Sequence, residues 1–166
     1  LLKKFAVPSI IAMLVSSLYN IVDQIFIGQG VGYLGNAATN VAFPLTTICL
    51  AISLLIGVGC ASGFSLELGA GNKDSAENFV KNALGMTAVF GILYLLTIIV
   101  FLRQMLKAFG ATNEIMEYAV SYTRIIALGM PVLIATNVLS NLIRADGSPN
   151  YSMMCMIVGA IINTIL

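Results

Sequence analysis

The sequence has no histidine, and only 9% of its 166 residues are charged against 59% hydrophobic. The missing imidazole removes the side chain that most often serves as acid–base catalyst or metal ligand. The scarcity of charge excludes an ordinary soluble domain, which carries roughly 25% charged residues. A mean hydropathy of +0.99 points instead to an integral membrane protein. With a net charge of +1 and no basic run, nucleic acid is not an expected partner. Cys49, Cys60 and Cys155 fall in apolar segments without CxxC spacing and are read as small packing hydrophobes.

What is present is a series of long apolar runs separated by short breaks rich in glycine or charge. A helical span needs about 20 mostly apolar residues. Residues 5–27, 37–66, 79–102 and 119–143 satisfy this, and 151–166 makes a shorter fifth run. The predicted fold class is an all-α, polytopic transmembrane helix bundle. The run that follows Lys3 and Lys4 is too long for a secretory signal peptide, and no small-residue cleavage site precedes Asp23. A chain that opens on Leu1 and stops inside its fifth run reads as a fragment of a longer bundle. Basic residues favour a cytoplasmic N-terminus: Lys3, Lys4, Lys73, Lys81 and Arg144 then lie inside, and Arg103, Lys107 and Arg124 outside.

Asp23 is the most expensive residue in these runs. A carboxylate within a membrane helix costs roughly 2.5–3.5 kcal/mol on insertion scales, which marks it as a candidate functional group. At 100° per residue it shares one helix face with Ser9, Ser16, Asn20 and Gln24, so the first helix carries a polar stripe. Thr39, Asn40, Thr46 and Thr47 place further hydrogen-bonding groups on the outer half of the second span, at about the depth of Asp23. Asn20, Gln24, Asn40 and Thr46 are therefore assigned to a substrate cavity. A second stripe, Asn137, Ser140, Asn141 and Arg144, recurs at three- to four-residue spacing after Pro131, and Asn163 stands nearly alone in the fifth run. The reading brings Asn137, Asn141 and Asn163 to Asp23 as an ion-coupling set. Asp23 itself is the candidate Na⁺ ligand.

The breaks carry less chemistry. Gly30, Gly32 and Gly35 match GxGxxG, but a dinucleotide site needs a strand before the glycines and an acid about 20 residues later, and neither is present. The stretch 28–35 is read as an outer loop. Glu67 to Glu77 reads as a glycine-capped helix end, a turn and a helix restarting near Asp74 or Ser75; Gly147 and Pro149 make a similar inner turn. Gly59 and Gly63 form a small-xxx-small packing pattern. Arg124 stands apart, about two turns into the fourth helix.

The segments Tyr-Asn-Ile-Val-Asp23-Gln-Ile-Phe-Ile-Gly28, Leu-Gly-Ala-Gly-Asn72 and Ile-Arg144-Ala-Asp-Gly147, with Asn163 in the fifth helix, resemble the multidrug and toxic compound extrusion (MATE) family, nearest its MepA-like bacterial multidrug exporters. The resemblance implies a twelve-helix transporter of two six-helix lobes. This chain would supply its first four helices and part of the fifth, residues 1–166 being a partial N-terminal lobe. It also implies an antiporter of the cell membrane, not an enzyme, that exchanges amphipathic and often cationic drugs for H⁺ or Na⁺ without any other cofactor. Its partners would be those small molecules, the lipid bilayer and the missing C-terminal lobe of the same polypeptide. In the family pattern the first-helix acid works with an Asn of the fifth helix, matched by Asn163, and with an Asp four residues later, which would fall just after Leu166.

Two rivals differ in what they require. A lipid-linked precursor flippase of the same superfamily needs several basic residues in its cavity, and only Arg124 and Arg144 are available. An intramembrane aspartyl protease needs two carboxylates within a few ångströms, whereas Asp74 and Asp146 fall in inner turns.

Overall fold

The computed structural model describes residues 2–30 and 32–165; the side chains of residues 2–5, Pro8, Ser9, Ala12, Ser16, Tyr19, Asp23, Ala160 and 163–165 are outside that description. The described residues form five α-helices: α1 (Leu2–Gly30), α2 (Tyr33–Gly69), α3 (Lys73–Ala108), α4 (Asn113–Ala145) and α5 (Pro149–Ile165). At about 1.5 Å per residue, α2, α3 and α4 are each roughly 50 Å long, so they outrun a hydrocarbon core of about 30 Å. Each therefore begins and ends beyond its apolar run. All three are long and apolar enough to cross a membrane.

The expected loop at 28–35 is much shorter. α1 continues through Gly30 and α2 starts at Tyr33, with Gly32 between them at φ 75°. Within the stretch Gly28 lies against Asn36 of α2, while Gly32 supplies the left-handed turn between the helices. The next three breaks share one geometry. Gly71, Gly110 and Gly147 have φ of 83°, 95° and 85°, and each follows a helix whose last carbonyls are closed by a paired 6→1 and 5→2 hydrogen-bond pattern. For α2 these bonds run from Asn72 N–H to Glu67 C=O at 2.9 Å and from Gly71 N–H to Leu68 C=O at 3.1 Å. This is the Schellman ending, which favours glycine because its next-to-last residue takes the left-handed conformation. After the first of these turns α3 restarts at Lys73, just before the expected Asp74.

Helices α2, α3 and α4 form the core. Leu45, Cys49 and Ile56 of α2, Ile98 and Leu106 of α3, and Met130, Ile134 and Val138 of α4 are all essentially inaccessible. The contacts fix directions. Gly63 lies against Phe79 and Leu45 against Tyr94, so α2 and α3 are antiparallel. Gly91 meets Pro131 while Arg103 pairs with Glu117, so α3 and α4 are antiparallel too. The Cys49 thiol approaches Met130 C=O across 81 residues, and Gly57 lies against Val138 at the same separation, so α2 and α4 run parallel in a constant register. A side chain on Gly57 would meet Val138 Cα at 3.2 Å, and one on Gly91 would meet Pro131 Cα at 3.3 Å. Small residues thus set the helix spacing, as expected where lipid gives no hydrophobic drive for association. Tyr94 closes the core by donating its buried hydroxyl to Leu45 C=O at 2.6 Å.

The remaining two helices are arranged differently. α1 packs chiefly along α5 and only lightly against α2, and no described side chain of α1 is buried. α5 joins the core through α4: Arg144 Nε donates to Ser152 Oγ at 3.2 Å, Ser140 and Ser152 share a hydroxyl hydrogen bond, and an Arg144 amino group reaches Met156 sulfur at 3.4 Å.

Candidate functional site

Where α1 turns into α2, their polar residues meet in an open pocket of about 530 Å³. Its polar lining comes from Asn20, Gln24 and Gln29 of α1 and Asn36 of α2, with Gly28 between them. The local reason is spacing. Asn20, Gln24 and Gly28 are four residues apart, as are Asn36 and Asn40, so each helix turns one polar edge toward the other.

Gly28 makes the approach possible. A Cβ at that position would stand 2.8 Å from Asn36 Nδ2, so any side chain there displaces Asn36. Thr39 Oγ1 lies 2.9 Å from Asn36 C=O and 3.4 Å from Gln24 Oε1. The hydroxyl carries one proton, and the shorter contact takes it. Gln24 is left with a weak interaction at its Oε1. Asn36 Oδ1 is buried without a hydrogen-bond partner among the described residues. A buried carbonyl oxygen in that state is costly, and it accepts readily from an N–H donor or a cation.

Asp23 immediately precedes Gln24 in α1, about 10 Å along the helix from its Gly30 end. Its side chain, and that of Asn163, lie outside the described residues. The backbone does place the helix bearing Asp23 alongside the helix bearing Asn163, since α5 is the principal neighbour of α1. Asn40 is exposed one turn beyond Asn36. Thr46 donates to Phe43 C=O of its own helix at 2.8 Å, which satisfies its hydroxyl locally.

The second stripe is not brought to this end of the molecule. Asn137 Nδ2 donates to Leu133 C=O and Asn141 Nδ2 to Asn137 C=O, both at 2.9 Å within α4. Asn141 rests against Gly57, whereas Gln24 meets Thr39. Those two α2 positions are 18 residues apart, or about 27 Å of helix. Asn141 instead lines a separate groove with Ser62 and Ser65 at the Gly69 end of α2. Helical periodicity gives the face a residue occupies but not the depth of its partner.

Asn36 is the residue that sequence reasoning missed. The available signal was its four-residue spacing from Asn40 beside a helix carrying Gly28, hidden by reading 28–35 as loop. Among the described residues no group of three or more acids and cysteines is gathered to hold a metal ion.

With this geometry in hand, comparison with known proteins is specific. The MatE family model matches residues 8–166. The multidrug export protein MepA of Staphylococcus saprophyticus is 27% identical over 98% of this chain and 36% of its own length. That of Staphylococcus haemolyticus is 29% identical with the same coverage. An outward-facing structure of a multidrug resistance MATE family transporter of the MOP superfamily superposes with a TM-score of 0.91 at 28% identity, covering 98% of this chain and 36% of that one. The chain thus spans about a third of the length of the relatives it matches. A match over nearly all of these residues, with the same helix arrangement, shows that the chain belongs to the MatE family of membrane transporters.

Proposed function

We propose that these helices are part of the N-terminal lobe of a secondary active multidrug exporter of the cell membrane, which exchanges amphipathic and often cationic compounds for H⁺ or Na⁺ by alternating access. The observation that carries this reading is the largely apolar α1–α2 pocket edged by the amides of Asn20, Gln24 and Asn36, in a chain whose relatives are named multidrug export proteins. Its N-terminus lies in the cytoplasm, and the opposite lobe comes from the same polypeptide.

In this mechanism Asp23 takes up H⁺ or Na⁺ with Asn163 as its neighbour on α5. Neutralising a carboxylate removes its preference for water and biases α1 toward a drier packing. Asn20, Gln24, Asn36, Asn40 and Thr46 offer the drug a polar edge within apolar walls, which suits compounds with one charged group and a hydrophobic body. The driving force is adequate. Each charge moved through the membrane potential supplies about 2.3 kcal/mol per 100 mV, and each tenfold ion gradient about 1.4 kcal/mol. A bias of that size moves a two-state equilibrium about tenfold or more.

The test is reconstitution of the full-length polypeptide in proteoliposomes, with a fluorescent organic cation as substrate. Transport is expected when an H⁺ or Na⁺ gradient is imposed and is expected to stop when that gradient is collapsed. Gradient-independent movement of the cation contradicts the coupling. Translocation of a lipid-linked precursor with no drug transport moves the assignment to a flippase.

A further inference from the structure

Arg124 has no role in the mechanism above, yet its setting is built. It lies seven residues beyond Glu117 on α4, and Glu117 is held by Arg103 of α3 in an exposed ion pair at 2.8 Å. Arg124 is therefore about 10 Å further along the helix than that polar rim, toward the middle of the bilayer. Among the described residues it makes no ion pair or hydrogen bond; the two ion pairs present are Arg103–Glu117 and Lys81–Glu77. It lines a cleft of about 350 Å³ between α3 and α4 whose other walls are apolar: Leu95, Ile99 and Leu102 on one side, Ala127 and Leu128 on the other.

A guanidinium at that depth needs an anion, and none of the described side chains lining the cleft supplies one. The cleft beside it runs along the helices and offers only hydrocarbon contacts. We propose that the α3–α4 cleft is a binding site for an anionic phospholipid, its phosphate on Arg124 and one acyl chain between Leu95, Ile99 and Leu128. Charge and shape agree on this occupant. Arg pairs with phosphate through a planar two-point fork, and its stem extends toward the interface where headgroups lie. The apolar walls fit a chain and offer a drug no second polar contact. The site belongs to the leaflet at the α3–α4 turn and is independent of the α1–α2 pocket.

The test is native mass spectrometry of the full-length polypeptide titrated with phosphatidylglycerol or phosphatidylcholine. The wild type is expected to retain one phosphatidylglycerol more tightly than phosphatidylcholine. Arg124→Gln is expected to weaken phosphatidylglycerol about fivefold, the ratio that ~1 kcal/mol per cation at an anionic lipid surface corresponds to. Arg124→Lys falls between, because an ammonium keeps the charge and loses the fork. Leu128→Trp narrows the cleft with Arg124 in place and is expected to weaken retention as well, so the proposal is still decided if Arg124→Gln does not fold. Equal retention of the two lipids, identical affinity of wild type and Arg124→Gln, no effect of Leu128→Trp, or displacement of the lipid by inorganic phosphate each overturns it.

Discussion

The three central helices and the α1–α5 pair are built from similar residues but solve different problems. α2 alone buries ten residues, while no described side chain of α1 is buried. In α2–α4, glycines at 57 and 91 bring backbones together, Gly63 makes room for the Phe79 ring, and the Tyr94 hydroxyl ties α3 to α2. In α1 the large hydrophobic residues, Ile10, Leu14, Leu18 and Phe26 among them, stand exposed, and Gln24 makes only a 3.4 Å contact with Thr39. The difference teaches which helices close a core among themselves. α2–α4 do, and such a core cannot deform gradually, whereas α1 turns its large apolar side chains outward, toward lipid or further helices. The residue proposed to bind the coupling ion sits on α1.

This contrast can be broken or sharpened by substitution. The largest effect is expected from Gly91→Leu, whose side chain meets the Pro131 backbone; separating α3 from α4 should cost about 3 kcal/mol or prevent folding, read as loss of monodisperse protein and of thermal stability. Tyr94→Phe removes the buried bond to Leu45 C=O and should cost about 1 kcal/mol in the same measurement. Thr123→Val should act in the opposite direction. The Thr123 hydroxyl is buried without a partner among the described residues, so an isosteric apolar side chain is expected to stabilise the core by about 1 kcal/mol.

At the junction between the two regions, Ser152→Ala takes away the hydroxyl that accepts from Arg144 and shares a hydrogen bond with Ser140. It should cost about 1 kcal/mol and speed amide exchange in α5 while leaving α2–α4 protected, since only the docking of α5 is loosened. The smallest effect is expected from Arg103→Gln. Its ion pair with Glu117 is largely exposed, so the loss should be below about 0.5 kcal/mol and should vanish in high salt.

Much of this architecture was legible in the sequence. Apolar runs gave five helices, and the glycines at 71 and 147 marked helix ends because the left-handed turn residue leaves a compositional trace. The polar edge of α1 was legible because hydrophobicity has a period. Partners were not. Alternate spans must run in the same direction, but nothing in the local sequence says that α2 packs on α4 at a separation of 81 residues, or that α1 chooses α5 over α2. For that reason the depth of Asn141, which rests against Gly57, was not legible, and Asn36 was passed over between the loop read at 28–35 and the span read from 37.

The central proposal is that Asp23 of α1 is the ion-coupling residue. The direct measurement compares full-length wild type, Asp23→Asn and Asn141→Ala in proteoliposomes, following gradient-driven transport of a fluorescent cation alongside its equilibrium binding. The predicted result is that Asp23→Asn loses gradient-driven transport while still binding the cation, and that Asn141→Ala keeps most of its transport. Wild-type transport by Asp23→Asn under the same gradient contradicts the account.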